Sequence, residues 1–164
     1  MVLPRLWFAL YFWGDITKKH KRKGNSKMNN PKVSYMMQFV VSGATTYLGS
    51  EDKDFWSKSK MGVEASEVVK PCEAIILGEV LQKAEDPIAM LREASEKAKR
   101  VLIIVPNEYS WDAKYKPLTN KEHRRVYDTE LLAQHLEEVG LDYVIGLVEY
   151  GGWSFLAATA GKQT

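Results

Sequence analysis

The sequence predicts an α/β domain: a mostly parallel sheet flanked by helices, ending in an antiparallel hairpin and cut short on its amino-terminal side. Three observations predict it. From residue 73 onward, short apolar runs alternate with amphipathic helical segments, the pattern of parallel strands joined by crossover helices. The runs 74–77 and 101–105 are apolar at consecutive positions, as strands covered on both faces are. The last two β-rich runs, 143–150 and 153–160, are separated only by Gly151-Gly152, which suits a two-residue primed turn.

Each element has its own local reason. Residues 33–41 form a β-prone run ending at Ser42-Gly43, 52–60 read as a short helix and 61–63 as a short strand. Ala74-Ile75-Ile76-Leu77 is a buried strand. Asp86-Pro87 supplies a helix cap and a first-turn proline, and Ile88, Leu91, Ala94 and Ala98 recur at helical spacing toward Lys99. Val101-Leu102-Ile103-Ile104-Val105 is a second buried strand, stopped by Pro106, which cannot donate a ladder hydrogen bond. The polar segment 107–127 is long enough to be a functional loop or lid. Asp128 caps a helix with Leu131, Leu132, Leu136 and Val139 on one face, and Gly140 ends it.

Composition narrows the functional classes. The chain has 164 residues, 45% of them hydrophobic and 27% charged, with 23 basic and 21 acidic residues and a net charge of +2. That balance does not predict a nucleic-acid or acidic-membrane partner. The single cysteine, Cys72, excludes an internal disulfide framework and a cysteine-rich zinc site. It also lacks an adjacent histidine, and no His/Cys/carboxylate group has ligand spacing, so cysteine and metal catalysis are set aside. A cytoplasmic protein is the simplest expectation. Residues 1–30 read as an apolar and basic tail with a linker, and 31–164 as the domain. Within the tail, the apolar run 6–13 is far shorter than the roughly 20 residues a membrane-spanning helix needs. Its basic cluster, 18–23, follows the apolar run, whereas a secretory signal carries its charge before it.

The wording of the regular part carries a family resemblance. The stretch ILGEVLQKAEDPIAMLREASEKAKRVLIIVPNEYSW, then His123-Arg124-Arg125-Val126-Tyr127-Asp128, a helix ending in Glu-Val-Gly-Leu and the terminal hairpin together resemble the second half of a class I S-adenosylmethionine-dependent methyltransferase. The resemblance covers roughly 100 residues, from 64 to 162. It implies a Rossmann-like sheet, S-adenosylmethionine as cofactor and a small-molecule acceptor. Ligands of such sheets lie across the carboxyl ends of the parallel strands, which selects Leu77, Gly78 and Glu79. The resemblance further implies that Glu64, with Ser66 and Glu67 nearby, ends a third strand and meets the adenine. The alternative is a second-strand carboxylate on the ribose. Where the acceptor must lose a proton, His123 is the candidate base, and Asn107, Tyr109, Trp111 and Tyr127 are candidate acceptor contacts. His135, between apolar helix positions, reads as structural.

The chain also departs from that family. It contains no Gly-x-Gly, and the nearest substitute for the family's glycine-rich loop is Gly43 with Thr45 and Thr46. Between Gly43 and Glu64 there are too few residues for the usual helix, strand, helix and strand, so elements are missing or shortened. Cys72-Glu73 stands where the family often has aspartate, and Lys83 where it often has histidine. These departures define a rival expectation, a methyltransferase-like domain without the chemistry that binds a protein partner or a second copy of itself. A third, an RNA-modifying enzyme, would use the basic cluster as a phosphate clamp.

Overall fold

The computed structural model describes residues 31–110, 122–150 and 152–162. Helix α1 (Pro31–Met37) opens it, followed by β1 (Thr45–Leu48), α2 (Lys53–Lys58), β2 (Val63–Ser66) and β3 (Cys72–Gly78). Next come α3 (Pro87–Lys97), β4 (Ala98–Pro106), a single 3-10 turn (Glu108–Ser110), α4 (Thr129–Val139), β5 (Leu141–Tyr150) and β6 (Trp153–Lys162). The six strands form one sheet in the order β2-β1-β3-β4-β6-β5. Strands β2, β1, β3 and β4 are parallel, while β6 runs antiparallel to β4 and to β5. The mixed sheet with a terminal hairpin is the one the sequence predicts.

Alternation along the strands sorts the core onto two faces. Ile75, Leu77, Val101, Ile103 and Val105 pack with Leu91 and Ala94 of α3 and Leu132 and Leu136 of α4. Ile76, Leu102, Ile104, Phe155 and Ala157 pack on the other face with Val33 and Met36 of α1 and Trp56 of α2. Each fully buried leucine or isoleucine contributes roughly 1.5–3 kcal/mol relative to exposure. The capping predicted at two helix starts is in place: Ala89 N–H donates to Asp86 Oδ1 at 2.9 Å and Leu131 N–H to Asp128 Oδ1 at 2.8 Å. Gly140 ends α4 in the left-handed region, with φ 78°.

Three sequence expectations are corrected. The β-prone run 33–41 begins as helix α1, because Pro31 takes the first helical position and Val33 and Met36 bury at helical spacing while Met37 stays 39% exposed. Residues 98 and 99 leave the predicted helix for β4, since Ala98 pairs with Cys72 across the ladder. Glu64 does not end a third strand: β2 pairs directly with β1, and among the described residues the sheet stops at β2. The economy that makes this possible is a strap, residues 67–71, joining β2 to β3 across β1 without a helix. A parallel crossover ordinarily takes a dozen or more residues; here a four-residue β2 and a five-residue strap, pinned by buried Val69 and by Lys97 Nζ donating to its carbonyl at 3.1 Å, shorten it.

Candidate functional site

The parallel register brings the carboxyl ends of the strands to one edge. Leu48 lies beside both Ser66 and Leu77, Gly78 beside Ile104, and Pro106 beside Phe155. Gly49 then leaves β1 with φ 154°, and a Cβ there would lie 2.3 Å from the Gly78 carbonyl oxygen. A Cβ on Gly78 would meet the Tyr47 hydroxyl oxygen at 2.3 Å. Both positions therefore need glycine, because the ends of β1 and β3 close on one another. Glu79 follows with φ 57°, an uncommon conformation for a residue with a side chain and one that concentrates at functional sites. Its N–H donates to the Ile104 carbonyl at 2.8 Å, and its own carbonyl accepts from Gln82 Nε2 at 2.8 Å.

A buried charge cluster occupies the same edge. Lys32 Nζ, from α1, lies 2.9 Å from Asp52 and 2.5 Å from Glu79, and 4.9 Å from the centre of the Phe155 ring. Burial opposes the lysine charge, but Glu79 and Asp52 outweigh it and raise its pKa above the ordinary value. Burial raises the Glu79 pKa; Lys32 pulls it down, and Glu51 and Asp52 push it up further. The net direction is upward, and burial is its largest cause. Tyr47, fully buried, accepts from the Asp52 N–H at 3.2 Å, and burial raises its pKa. Gln82 is buried, and its Oε1 has no hydrogen-bond partner among the described residues.

Beyond the edge, residues 122–127 are stitched to the turn after β3. The Arg124 and Arg125 amides donate to the Gln82 carbonyl at 2.8 and 3.3 Å, and Arg125 Nη1 donates to the Leu81 carbonyl at 2.6 Å. Lys83 bridges Glu51 at 3.1 Å and Glu122 at 3.3 Å. Its pKa is raised: burial opposes the charge, and the two carboxylates outweigh it. The stitching brings His123 Nδ1 into contact with Glu108, on the 3-10 turn that follows β4. Asn107 holds that turn, its N–H donating to the Ser154 carbonyl at 2.9 Å and its Nδ2 to the Ser110 and Ser154 hydroxyls at 3.2 Å each.

The predicted residues divide accordingly. Ser66, Leu77, Gly78 and Glu79 lie at the carboxyl edge, although the Leu77 side chain is buried in the core and the Ser66 hydroxyl is engaged with the backbone of Val68. Asn107, Tyr109 and His123 lie beyond the end of β4; Tyr109 is 67% exposed. Gly43 is misplaced by the sequence reading: it precedes β1 instead of following a strand, so it sits at the amino ends. There it shares a groove of about 820 Å³ with Thr46, Glu64, Cys72, Lys99 and Lys162, and the Glu64 carboxylate pairs with Lys70. Tyr127, predicted as an acceptor contact, is fully buried, with its hydroxyl 3.0 Å from His135 Nδ1. Trp111 lies outside the described residues. Sequence reasoning missed Tyr47, Gly49, Lys32 and Glu108. For Gly49 a signal existed, a glycine directly after Tyr47-Leu48, but it was obscured by placing the first strand at 33–41.

No protein-family model matches the chain, and no curated protein sequence matches it. Solved structures do. A SAM-dependent methyltransferase from Archaeoglobus fulgidus is similar at 15% identity and a TM-score of 0.53, covering 79% of this chain and 90% of that one. Magnesium protoporphyrin IX methyltransferase from Synechocystis PCC 6803, solved with bound SAH, is similar at 10% identity and a TM-score of 0.53, covering 88% and 90%. The plantazolicin methyltransferase BpumL, in complex with a desmethyl analogue of plantazolicin and SAH, is 14% identical with a TM-score of 0.52, covering 80% and 72%. The chain has the class I S-adenosylmethionine-dependent methyltransferase fold. Among the described residues no helix is long and apolar enough to cross a membrane, and no group of histidine, cysteine and carboxylate residues is arranged to hold a metal.

Proposed function

We propose that the chain is an S-adenosylmethionine-dependent methyltransferase acting on a small-molecule acceptor. The observation that carries this reading is the acceptor-rich rim at the carboxyl edge of a methyltransferase fold: Glu51, Asp52 and Glu79, with Gln82 Oε1, which has no partner among the described residues. S-adenosylmethionine is cationic and rich in donors, carrying a sulfonium, an ammonium, two ribose hydroxyls and an adenine amino group, so the rim fits its chemistry. Gly49, Gly78 and the left-handed Glu79 would bring backbone close to it, with Ser66 at the neighbouring strand end. When bound, it supplies an activated methyl group. The chain's own residues align the acceptor against it, which is most of what such a transfer needs. Asn107 and Tyr109 would face the acceptor, and His123 would take a proton where one must leave. The neighbours solved with SAH support the cofactor assignment.

The rival reading is a methyltransferase-like binding module. The Tyr47 ring and the Lys32 ammonium already fill space at the carboxyl edge. Calorimetric titration of the full chain with S-adenosylmethionine and S-adenosylhomocysteine separates the two. Micromolar binding supports the methyltransferase; no heat at millimolar ligand supports the module. A Glu64→Ala variant locates the site: unchanged affinity assigns it to the carboxyl edge, and lost affinity moves it to the groove at the amino ends.

A further inference from the structure

We propose that Lys32 is a tethered plug: its ammonium stands at the carboxyl edge in place of a ligand's cation, and α1 must withdraw it before S-adenosylmethionine enters. This rests on the methyltransferase reading and adds a self-inhibiting contact to it. Three segments of the edge build the socket. Asp52 comes from the loop after β1, Glu79 directly follows β3, and Phe155 of β6 lies beside Pro106 at the end of β4. Lys32 Nζ is 2.9 Å from Asp52, 2.5 Å from Glu79 and 4.9 Å from the centre of the Phe155 ring. Two carboxylates and an aromatic face bind an ammonium group whether it belongs to a side chain or to a ligand.

The socket is shaped without help from the lysine. Glu79 is fixed by its backbone, its N–H bonded to the Ile104 carbonyl and its own carbonyl to Gln82 Nε2. The Asp52 N–H donates to the hydroxyl of the fully buried Tyr47. Lys32, in contrast, arrives from outside the sheet, on a seven-residue helix and 47 residues away from Glu79 in sequence. A helix that short does not persist in water by itself. It is held by Val33 and Met36 against the sheet and by the Lys32 pairs. Burial opposes the lysine charge, but Glu79 and Asp52 outweigh it, so the exchange is of one cation for another. A buried ion pair gives back in Coulomb energy about what its desolvation costs, so a ligand cation reaching the same carboxylates displaces the lysine at small net cost. The state with the plug withdrawn is then a minor one, with a population of roughly 0.1–10%, and it lowers the apparent affinity by that fraction.

The ammonium proton–nitrogen NMR spectrum of the uniformly labelled full chain reads the plug directly, with Lys32→Arg to assign the signal. The expected result is a slowly exchanging Lys32 signal in the free protein that joins those of exposed lysines on saturation with S-adenosylhomocysteine. Calorimetric titration gives the second readout: Lys32→Ala is expected to bind S-adenosylhomocysteine about tenfold or more tightly than the wild type. The uncharged nucleoside 5′-methylthioadenosine, which brings no cation, should gain less. Where Lys32→Ala does not fold, Lys32→Gln, which keeps most of the stem, takes its place. A Lys32 signal unchanged in the saturated wild type, or equal or weaker binding by the variant, overturns the plug and leaves the methyltransferase reading standing. An equal gain for both ligands overturns the exchange of cation for cation. Binding of S-adenosylhomocysteine by neither protein at millimolar concentration overturns the methyltransferase reading, and the plug with it.

Discussion

The Tyr47 phenol rests directly on the backbone of Gly78, so that a single methyl group added at residue 78 would come within 2.3 Å of its hydroxyl oxygen and 2.4 Å of its ring. The ring cannot retreat, being fully buried and 5.8 Å from the centre of Trp56. Gly78→Ala is therefore expected to cost about 1–3 kcal/mol by overpacking. In a Tyr47→Ala background the same substitution should cost less, giving a coupling above about 0.5 kcal/mol. Urea unfolding of the four proteins in this double-mutant cycle checks it, and simple additivity would contradict the contact.

Lys32→Met leaves Asp52 and Glu79 buried without their cation. Breaking a buried pair from one side costs roughly 3–5 kcal/mol. The deficit should shrink on acidification. Glu79 already has a raised native pKa in the wild type, and losing the cation raises it further. In the variant the native state then binds protons that the unfolded chain, titrating near 4.5, does not, so stability rises as pH falls from neutral toward that value. Unfolding free energies of wild type and variant at several pH values between 4.5 and 7 should converge downward; parallel curves would count against the cluster.

The Tyr127 hydroxyl and His135 Nδ1 should behave as a pH-sensitive brace. Burial first, then the nearby Arg125 charge, lowers the His135 pKa from 6.5, and a neutral ring with its proton on Nε2 can accept the phenol's hydrogen bond at Nδ1. A depressed folded pKa means the unfolded chain takes up protons first, so the brace contributes stability above pH 6.5 and loses it as pH falls below. Burial pushes the Tyr127 pKa up to about 12, so the phenol stays a donor throughout. Tyr127→Phe is expected to cost about 1 kcal/mol at pH 8 and less at pH 5. A cost that does not change with pH would show that His135 is not the partner that matters.

Asp128 and Asp86 offer a purely local test. Each accepts one backbone N–H at a helix start, so alanine at either is expected to cost about 0.5–2 kcal/mol. Asp128→Ala has the further consequence of loosening the start of α4, next to the segment that carries His123. Hydrogen exchange of the Arg124 and Arg125 amides, both bonded to Gln82, should accelerate in Asp128→Ala and not in Asp86→Ala.

The legible parts of the chain were those in which local pattern and tertiary context agree. Strands β3 and β4 are apolar at consecutive positions, α3 and α4 carry Asp caps, α4 ends at Gly140, and Gly151-Gly152 separates the last two strands. These are short-range signals, and the chain adopted them. Helix α1 was misread because the Val and Tyr of its sequence weigh toward strand, while the arrangement that decides, Pro31 at the start with Val33 and Met36 on one buried face, needs a sheet to bury against. The site was legible where it coincides with a strand end, at Gly78 and Glu79, and illegible where it depends on segments distant in sequence. Lys32 meets Glu79 across 47 residues and His123 meets Glu108 across 15.

By itself, then, the sequence determined the mixed α/β sheet, its closing hairpin and the strand end where Gly78 permits close backbone approach, because periodicity, caps and turn glycines act within a few residues. Only the tertiary structure decided that β2 lies against β1, that Gly43 and Glu64 fall at the far end from Glu79, and that Lys32 and Tyr47 close over the carboxyl edge. Strand order and the pairing of buried charges are settled by which faces and which ions can be desolvated together, and no local pattern encodes that.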